Sequence, residues 1–193
     1  MFLAHAKALE NSTAKYPIKA FAIPQNYRDV NHEKLFSGRL PTRIVIGLVD
    51  NRAFNGDRAH NPFNFQHFNL SEISLYLDGQ QQYDLKPIQP DFANGLYVRT
   101  YNTLFAGTCK LNRDEGIYIS RGDYANGYSL YAFDLTADLA EDDHFNLVKQ
   151  GSVRLALKFS EALAQTTSVI AYAEFDNIVN IDRDRNLLLD FGV

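Results

Sequence analysis

The sequence predicts an all-β domain, an eight-stranded jelly-roll β-sandwich with one inserted helix at about 96–106 and a short N-terminal helix. Three observations lead there. Segments in which apolar and polar residues alternate recur along the chain, separated by turn-rich polar stretches. Aromatic residues make up 13% of the 193 residues, as 14 Phe and 11 Tyr without Trp, and aromatic side chains favour pleated, half-buried surfaces. A single internal segment carries a helical apolar face, and many short strands with one helix fit a sandwich. Residues 16–193 read as one jelly-roll domain and 1–15 as a helical segment ahead of it, with no repeat or linker dividing them.

Taken in order, Phe2, Leu3, Ala6 and Leu9 recur at helical spacing, and Asn11, Ser12 and Thr13 interrupt them. Pro17 biases Tyr16 towards extended backbone. Residues 25–34 are polar and unpatterned and read as a surface loop. Residues 43–49 are β-branched and nearly all apolar, as expected of a strand buried on both faces. In 71–77, Ile73, Leu75 and Leu77 alternate with Glu72, Ser74 and Tyr76, and Asp78-Gly79 then supplies a tight hairpin turn with 80–85 as the returning strand.

The inserted helix rests on Tyr97, Tyr101, Leu104 and Phe105, which share one face, with Gly107 placed to stop it. Residues 128–133 alternate again. Residues 152–159 do so most cleanly, with Val153, Leu155, Leu157 and Phe159 inward and Arg154 and Lys158 outward. Residues 169–175 and 178–181 complete the strand set.

Composition narrows the function. A net charge of −4 argues against a protein that coats nucleic acid, which needs a basic face. One cysteine, Cys109, cannot form a disulfide within the chain and suits a reducing compartment. No apolar run reaches the ~18 residues of a membrane helix, and the first residues lack the pattern of a secretion signal, so an intracellular, non-secreted protein is expected.

The chemical motifs are weak. The five histidines, His5, His32, His60, His67 and His144, show no zinc-protease spacing. Asp182-Arg183-Asp184-Arg185-Asn186 opens like a calcium loop, but Leu187 and Val193 stand where Gly and Glu are needed. Glu141-Asp142-Asp143-His144 reads as a solvated acidic run. Asp114 and Glu115, adjacent in extended chain, point to opposite sides and cannot share a substrate atom. Arg121-Gly122-Asp123 matches a tripeptide that adhesion receptors read, yet Gly-Asp is ordinary turn chemistry. Around Gly107-Thr108-Cys109-Lys110 the remaining residues of a phosphate loop are missing, and no nucleophile elbow occurs. No catalytic, cofactor-binding or metal site is expected, and no cofactor.

The aromatic stretch 61–69 is the most unusual local sequence. Its rings could stack on sugars or bases. The stronger reading is a plug in which Phe63, Phe65 and Phe68 close the end of the sandwich while Asn side chains satisfy the backbone, because no Lys/Arg cluster accompanies the rings.

Several collinear segments carry a resemblance. They include 2–10, 40–51, Ala53-Phe54-Asn55-Gly56, Asn61-Pro62-Phe63-Asn64-Phe65, Leu77-Asp78-Gly79-Gln80-Gln81, Tyr97-Val98-Arg99, Asp114-Glu115-Gly116, 144–151 and Tyr172-Ala173-Glu174-Phe175-Asp176-Asn177. Across nearly its whole length the chain resembles the C-terminal half of the double jelly-roll, hexon-like major capsid proteins of Polinton/Maverick-type elements and adintovirus-like viruses. The 15–24 stretch is a few residues shorter than in the family.

The resemblance implies a structural, non-enzymatic capsid protein located in the virion, either viral or an endogenous viral element. The chain would be the second jelly roll of a longer polypeptide, self-associating as a homotrimeric capsomer and missing its first jelly roll. Direct nucleic-acid binding and a membrane span are not expected. A lone second jelly roll exposes the face meant for its partner and should be sticky. The 111–126 segment, with Tyr118 and Tyr124, is the candidate capsomer-contact loop. The alternative is a carbohydrate-binding jelly-roll module, since jelly rolls also carry lectin sites. A cupin-like metalloenzyme ranks third, because the His-rich ligand set is missing.

Overall fold

A computed structural model of the chain describes residues 11–12, 17–80, 86–111, 118–136, 149–175, 178–181 and 187–189. In chain order the first elements are β1 (Asn11–Ser12), β2 (Ile18–Ile23), β3 (Asp29–Arg39), β4 (Arg43–Asp50), α1 (Asn51–Phe54) and β5 (Leu70–Leu77). Next come α2 (Val98–Gly107), α3 (Arg121–Ala125), β6 (Leu130–Asp134), β7 (Gln150–Phe159), β8 (Thr167–Glu174), β9 (Ile178–Ile181) and β10 (Leu187–Leu189).

Two antiparallel sheets form the body, one ordered β2-β8-β4-β6 and the other β3-β7-β5. Their pairing is nested. β2 pairs with β8, β3 with β7 and β4 with β6, so the chain runs outward, turns after β5 and returns along itself. Successive outgoing strands go to alternate sheets, and that alternation wraps the paired ribbon into a jelly roll.

The core lies between the sheets and follows from strand alternation. Ile44, Ile46 and Leu48 of β4 meet Ile73, Leu75 and Leu77 of β5 and Val153, Leu155, Leu157 and Phe159 of β7 in one buried cluster. Truncating one of these leucines to Ala removes the transfer energy and leaves a cavity, together about 2–5 kcal/mol. The opposite face of β4 is buried as well, with Val45 under the helices and Val49 1% exposed, as a strand without polar alternation requires.

The Asp78-Gly79 turn forms as its chemistry predicts, with φ of 51° and 76° and reciprocal Leu77–Gln80 backbone hydrogen bonds of 2.9 Å. The returning strand expected over 80–85 lies outside the described residues beyond Gln80. Among the described residues the sandwich has seven strands rather than eight. Along the edge of β5 away from β7, the described residues give an isolated bridge in which Ile73 and Ile88 exchange N–H···O bonds of 2.9 and 3.0 Å.

Other expectations are corrected. Residues 29–34 are not loop but belong to β3, the longest strand at 11 residues. Polar residues suffice there because β3 lies at a sheet edge. A register shift between His32 and Phe36 also breaks the alternation that would have revealed it. β2 forms within the shortened stretch and pairs with β8 at all six positions. The 178–181 strand forms, but β9 pairs with β1 and β10 in a separate small sheet. Two short helices, α1 and α3, accompany the expected one. Most of the segment assigned to the N-terminal helix, and all of its periodic residues, lie outside the described residues.

Candidate functional site

Interaction surfaces are the features to weigh. The outer face of β4 and β6 is covered by α2 and α3. Two glycines make that layer possible. A Cβ on Gly107 would lie 2.8 Å from the carbonyl carbon and oxygen of Ala132, so the end of α2 sits directly on β6. A Cβ on Gly47 would lie 2.6 Å from the Phe65 ring, so the strand has room for that ring against its outer surface. Gly107 is thus the last helical residue for reasons of close approach, not because a left-handed stop is needed.

Between the helices lies a second core. Leu104, Tyr124 and Ala132 are buried, and Phe92, Tyr97, Tyr101, Phe105 and Ile119 pack on them. The rings form a continuous stack: His67 on Phe92 at 4.0 Å, Phe92 on Tyr97 at 5.0 Å, and Tyr101 edge-on to Tyr124 at 5.6 Å. Arg43 ties this flank to the sheet, its guanidinium donating to Gly107 O (2.7 Å), Glu174 Oε2 (3.0 Å) and Cys109 Sγ (3.3 Å).

The structure separates the two candidate contact tyrosines. Tyr118 is 97% exposed, as a contact residue must be. Tyr124 is fully buried in α3; its hydroxyl donates to Leu130 O at 2.9 Å, and burial pushes its pKa far above the ordinary tyrosine value. Tyr124 therefore does not stand as a contact residue, because a side chain without accessible surface reaches no neighbour. Burial along α2 and α3 rather than membership of a loop was the missing signal, since Tyr124 lies one helical turn beyond Ser120 and faces α2.

Arg121-Gly122-Asp123 is the first turn of α3. Asp123 Oδ2 accepts from Ser120 N–H (3.2 Å) and Oγ–H (2.6 Å), while Asp123 N–H donates to Ser120 Oγ (3.1 Å). This is a capping box, and its hydrogen bonds hold the Asp123 carboxyl below the usual carboxylate range. An adhesion receptor would need that carboxylate free.

The aromatic stretch only partly plugs the sandwich. Phe65 lies against Gly47 and its backbone bridges to Gly127 and Tyr128, and Phe68 packs on the main core, but Phe63 is 74% exposed. Asn61 satisfies a backbone group as expected, accepting from Phe63 N–H at 2.9 Å. Beside the stretch is an open groove of 470 Å³ between residues 64–69 and 125–127.

Of the remaining candidates, His60 pairs with Asp57 at 2.9 Å and His32 stacks on Phe21 at 4.3 Å. His5, His144, the acidic run at 141–144, Asp114, Glu115 and the calcium-like stretch at 182–186 lie outside the described residues. Among the described residues no group of three His, Cys, Asp or Glu side chains is placed to hold a metal ion, and no helix is long and apolar enough to cross a membrane.

No protein-family model matches the sequence. Over 198 aligned residues the chain is 29% identical to the uncharacterized protein F54H12.2 of Caenorhabditis elegans, covering 96% of this chain and 46% of that protein. It thus spans about half the length of the curated relative it matches. Two of the solved structures that share the fold are of viral proteins. One is described as a quasi-atomic model of the PBCV-1 virus capsid, with TM-score 0.51 and 11% identity over 97% of this chain and 52% of that one. The other is PBCV-1 VP54 fitted into a cryo-EM reconstruction of the virophage Sputnik, with TM-score 0.52 and 10% identity over 96% of this chain and 52% of that one.

Proposed function

We propose that this chain is a structural jelly-roll unit of a viral capsid protein, acting through shape and subunit contact rather than catalysis. One observation carries the reading: 97% of the chain aligns with about half of a virus-capsid chain at a TM-score of 0.51. That proportion, repeated in the second capsid chain, supports a place as one of two jelly rolls in a longer polypeptide, and the resemblance to the C-terminal half of the family makes it the second. The collinear segments quoted above support the Polinton/Maverick-type, hexon-like group as the source, either viral or an endogenous element, with the virion capsid as its location.

Exposed apolar side chains support such a role. Tyr118, Leu96 and Ile18 are 97%, 69% and 66% exposed, and apolar side chains so placed gain free energy when another subunit covers them. Assembly as a homotrimeric capsomer with the first jelly roll present is the arrangement proposed, with Tyr118 at a contact and no direct role in binding nucleic acid.

The test is expression of the longest reading frame that contains these residues, followed by mass photometry and electron microscopy. Trimers that tile into sheets or shells are expected. A strictly monomeric full-length protein under all assembly conditions would overturn the reading.

A further inference from the structure

The groove beside the aromatic stretch has the chemistry of a ligand site. Three of its side chains, Asn64, Gln66 and Asn69, end in carboxamides that make no hydrogen bond to any described residue. Asn126 uses its Nδ2 on Gly122 O at 2.8 Å, which leaves its oxygen to the groove's solvent. Each free carboxamide offers two donors and an acceptor with two lone pairs. No Lys, Arg, Asp or Glu lines the groove. His67, its one titratable member, is held towards the neutral form by burial.

The frame is rigid. Gln66 N–H donates to Leu48 O (3.0 Å), Phe65 N–H to Gly127 O (2.8 Å) and Ser160 N–H to Asn69 O (2.9 Å). Asn69 N–H donates to His67 Nδ1 at 3.0 Å, so the neutral imidazole keeps its proton on Nε2. Phe68 and Asn69 are consecutive non-glycine residues in the left-handed region, at φ 44° and 51°, a costly conformation that is concentrated at binding sites. Gly127 matters too, because a Cβ there would lie 2.8 Å from Asn64 Oδ1. Phe68 is the aromatic member of the groove's lining.

We propose that this groove binds an uncharged saccharide. Vicinal hydroxyls match the paired donor and acceptor of a carboxamide, and Phe68 gives the lining an apolar surface for a sugar's C–H face. The volume of 470 Å³ falls within the ~300–1,000 Å³ of small-molecule sites. A nucleic acid would need cations along its phosphates, and a peptide would need apolar pockets for alternate side chains. The inference is independent of the capsid reading.

The test uses the whole chain on an array of oligosaccharides ending in glucose, galactose, mannose or N-acetylglucosamine, beside sialylated and sulfated ones. Binding to at least one neutral glycan is expected, and calorimetry with that glycan should show at least tenfold weaker binding for Asn64→Ala/Gln66→Ala at unchanged melting temperature. Should a variant melt early, Gln66→Glu, a substitution at an exposed position, replaces it and should weaken binding similarly. No neutral hit, binding to anionic glycans only, or undiminished affinity in the variants would overturn the proposal.

Discussion

Gly107 of α2 rests on the backbone of Ala132 in β6, with no space for a side chain between them. Two effects oppose each other at this position. Replacing Gly by Ala inside a helix favours the helix by up to ~1 kcal/mol. A Cβ 2.8 Å from backbone atoms must instead push the helix off the sheet, and overpacking of this kind costs about 1–3 kcal/mol. Gly107→Ala is therefore expected to lower the urea midpoint. A midpoint that rises would mean that α2 can lift without loss.

Arg43 donates at once to the end of α2, Glu174 and Cys109, with its side chain 13% exposed and that of Glu174 22%. Arg43→Met keeps the apolar stem but leaves Gly107 O and the carboxylate without these donors. The expected loss is about 1–3 kcal/mol in chemical denaturation, reduced by the water that reaches the pair. A double-mutant cycle with Glu174→Gln separates the ion pair from the hydrogen bond to the helix.

Ser120 caps α3, and Ser120→Ala should cost about 1 kcal/mol, because the Asp123 N–H loses its acceptor and the Asp123 carboxylate loses its shortest donor. Ser120→Asp can still accept from that N–H but sets two carboxylates side by side, so it should recover less stability than Ser120→Thr. Equal stability of all three variants would show that the cap contributes nothing.

His67 predicts a pH dependence. Burial lowers its pKa in the folded chain, so the unfolded chain takes up a proton first as pH falls. Its contribution is complete above the unfolded value of about 6.5 and is lost as pH falls through the lower folded value. Protonation at Nδ1 also replaces the acceptor facing Asn69 N–H with a donor. The charged groups on the packed segments are occupied elsewhere: Asp91 with Asn94, Arg121 with Gly95 O and over Tyr97, and Asp123 with Ser120. Melting temperatures at pH 7.5 and 5.5 should differ more for the parent than for His67→Gln. An identical pH dependence in the two would remove His67 from the account.

Exposed apolar side chains predict that the isolated chain binds ANS and self-associates with rising concentration, led by Tyr118 and Ile18. Tyr118→Ser/Ile18→Ser should reduce both signals without lowering the melting temperature. A parent chain that stays monodisperse and ANS-silent would contradict the partner-face expectation.

Much of the sandwich was legible because its signals are local. The alternation of 152–159, the unbroken apolar run at 43–49, the Asp78-Gly79 turn and the helical face of Tyr97, Tyr101, Leu104 and Phe105 each need only a few neighbouring residues, and each element forms. The candidate site was less legible. Both tyrosines and the aromatic stretch were singled out, yet their roles were not settled by their own neighbours.

The amino-acid sequence by itself determined the strand periods, the inserted helix and the net charge of −4. Only the tertiary structure decided that polar residues 29–34 extend along β7, that Tyr124 is buried while Tyr118 is exposed, and that Phe63 turns outward while Phe65 lies on Gly47. The reason is physical. Periodicity is set by adjacent backbone geometry, whereas burial of one ring among several is set by what a distant strand leaves open, here a missing side chain on Gly47 and a carbonyl on Leu130.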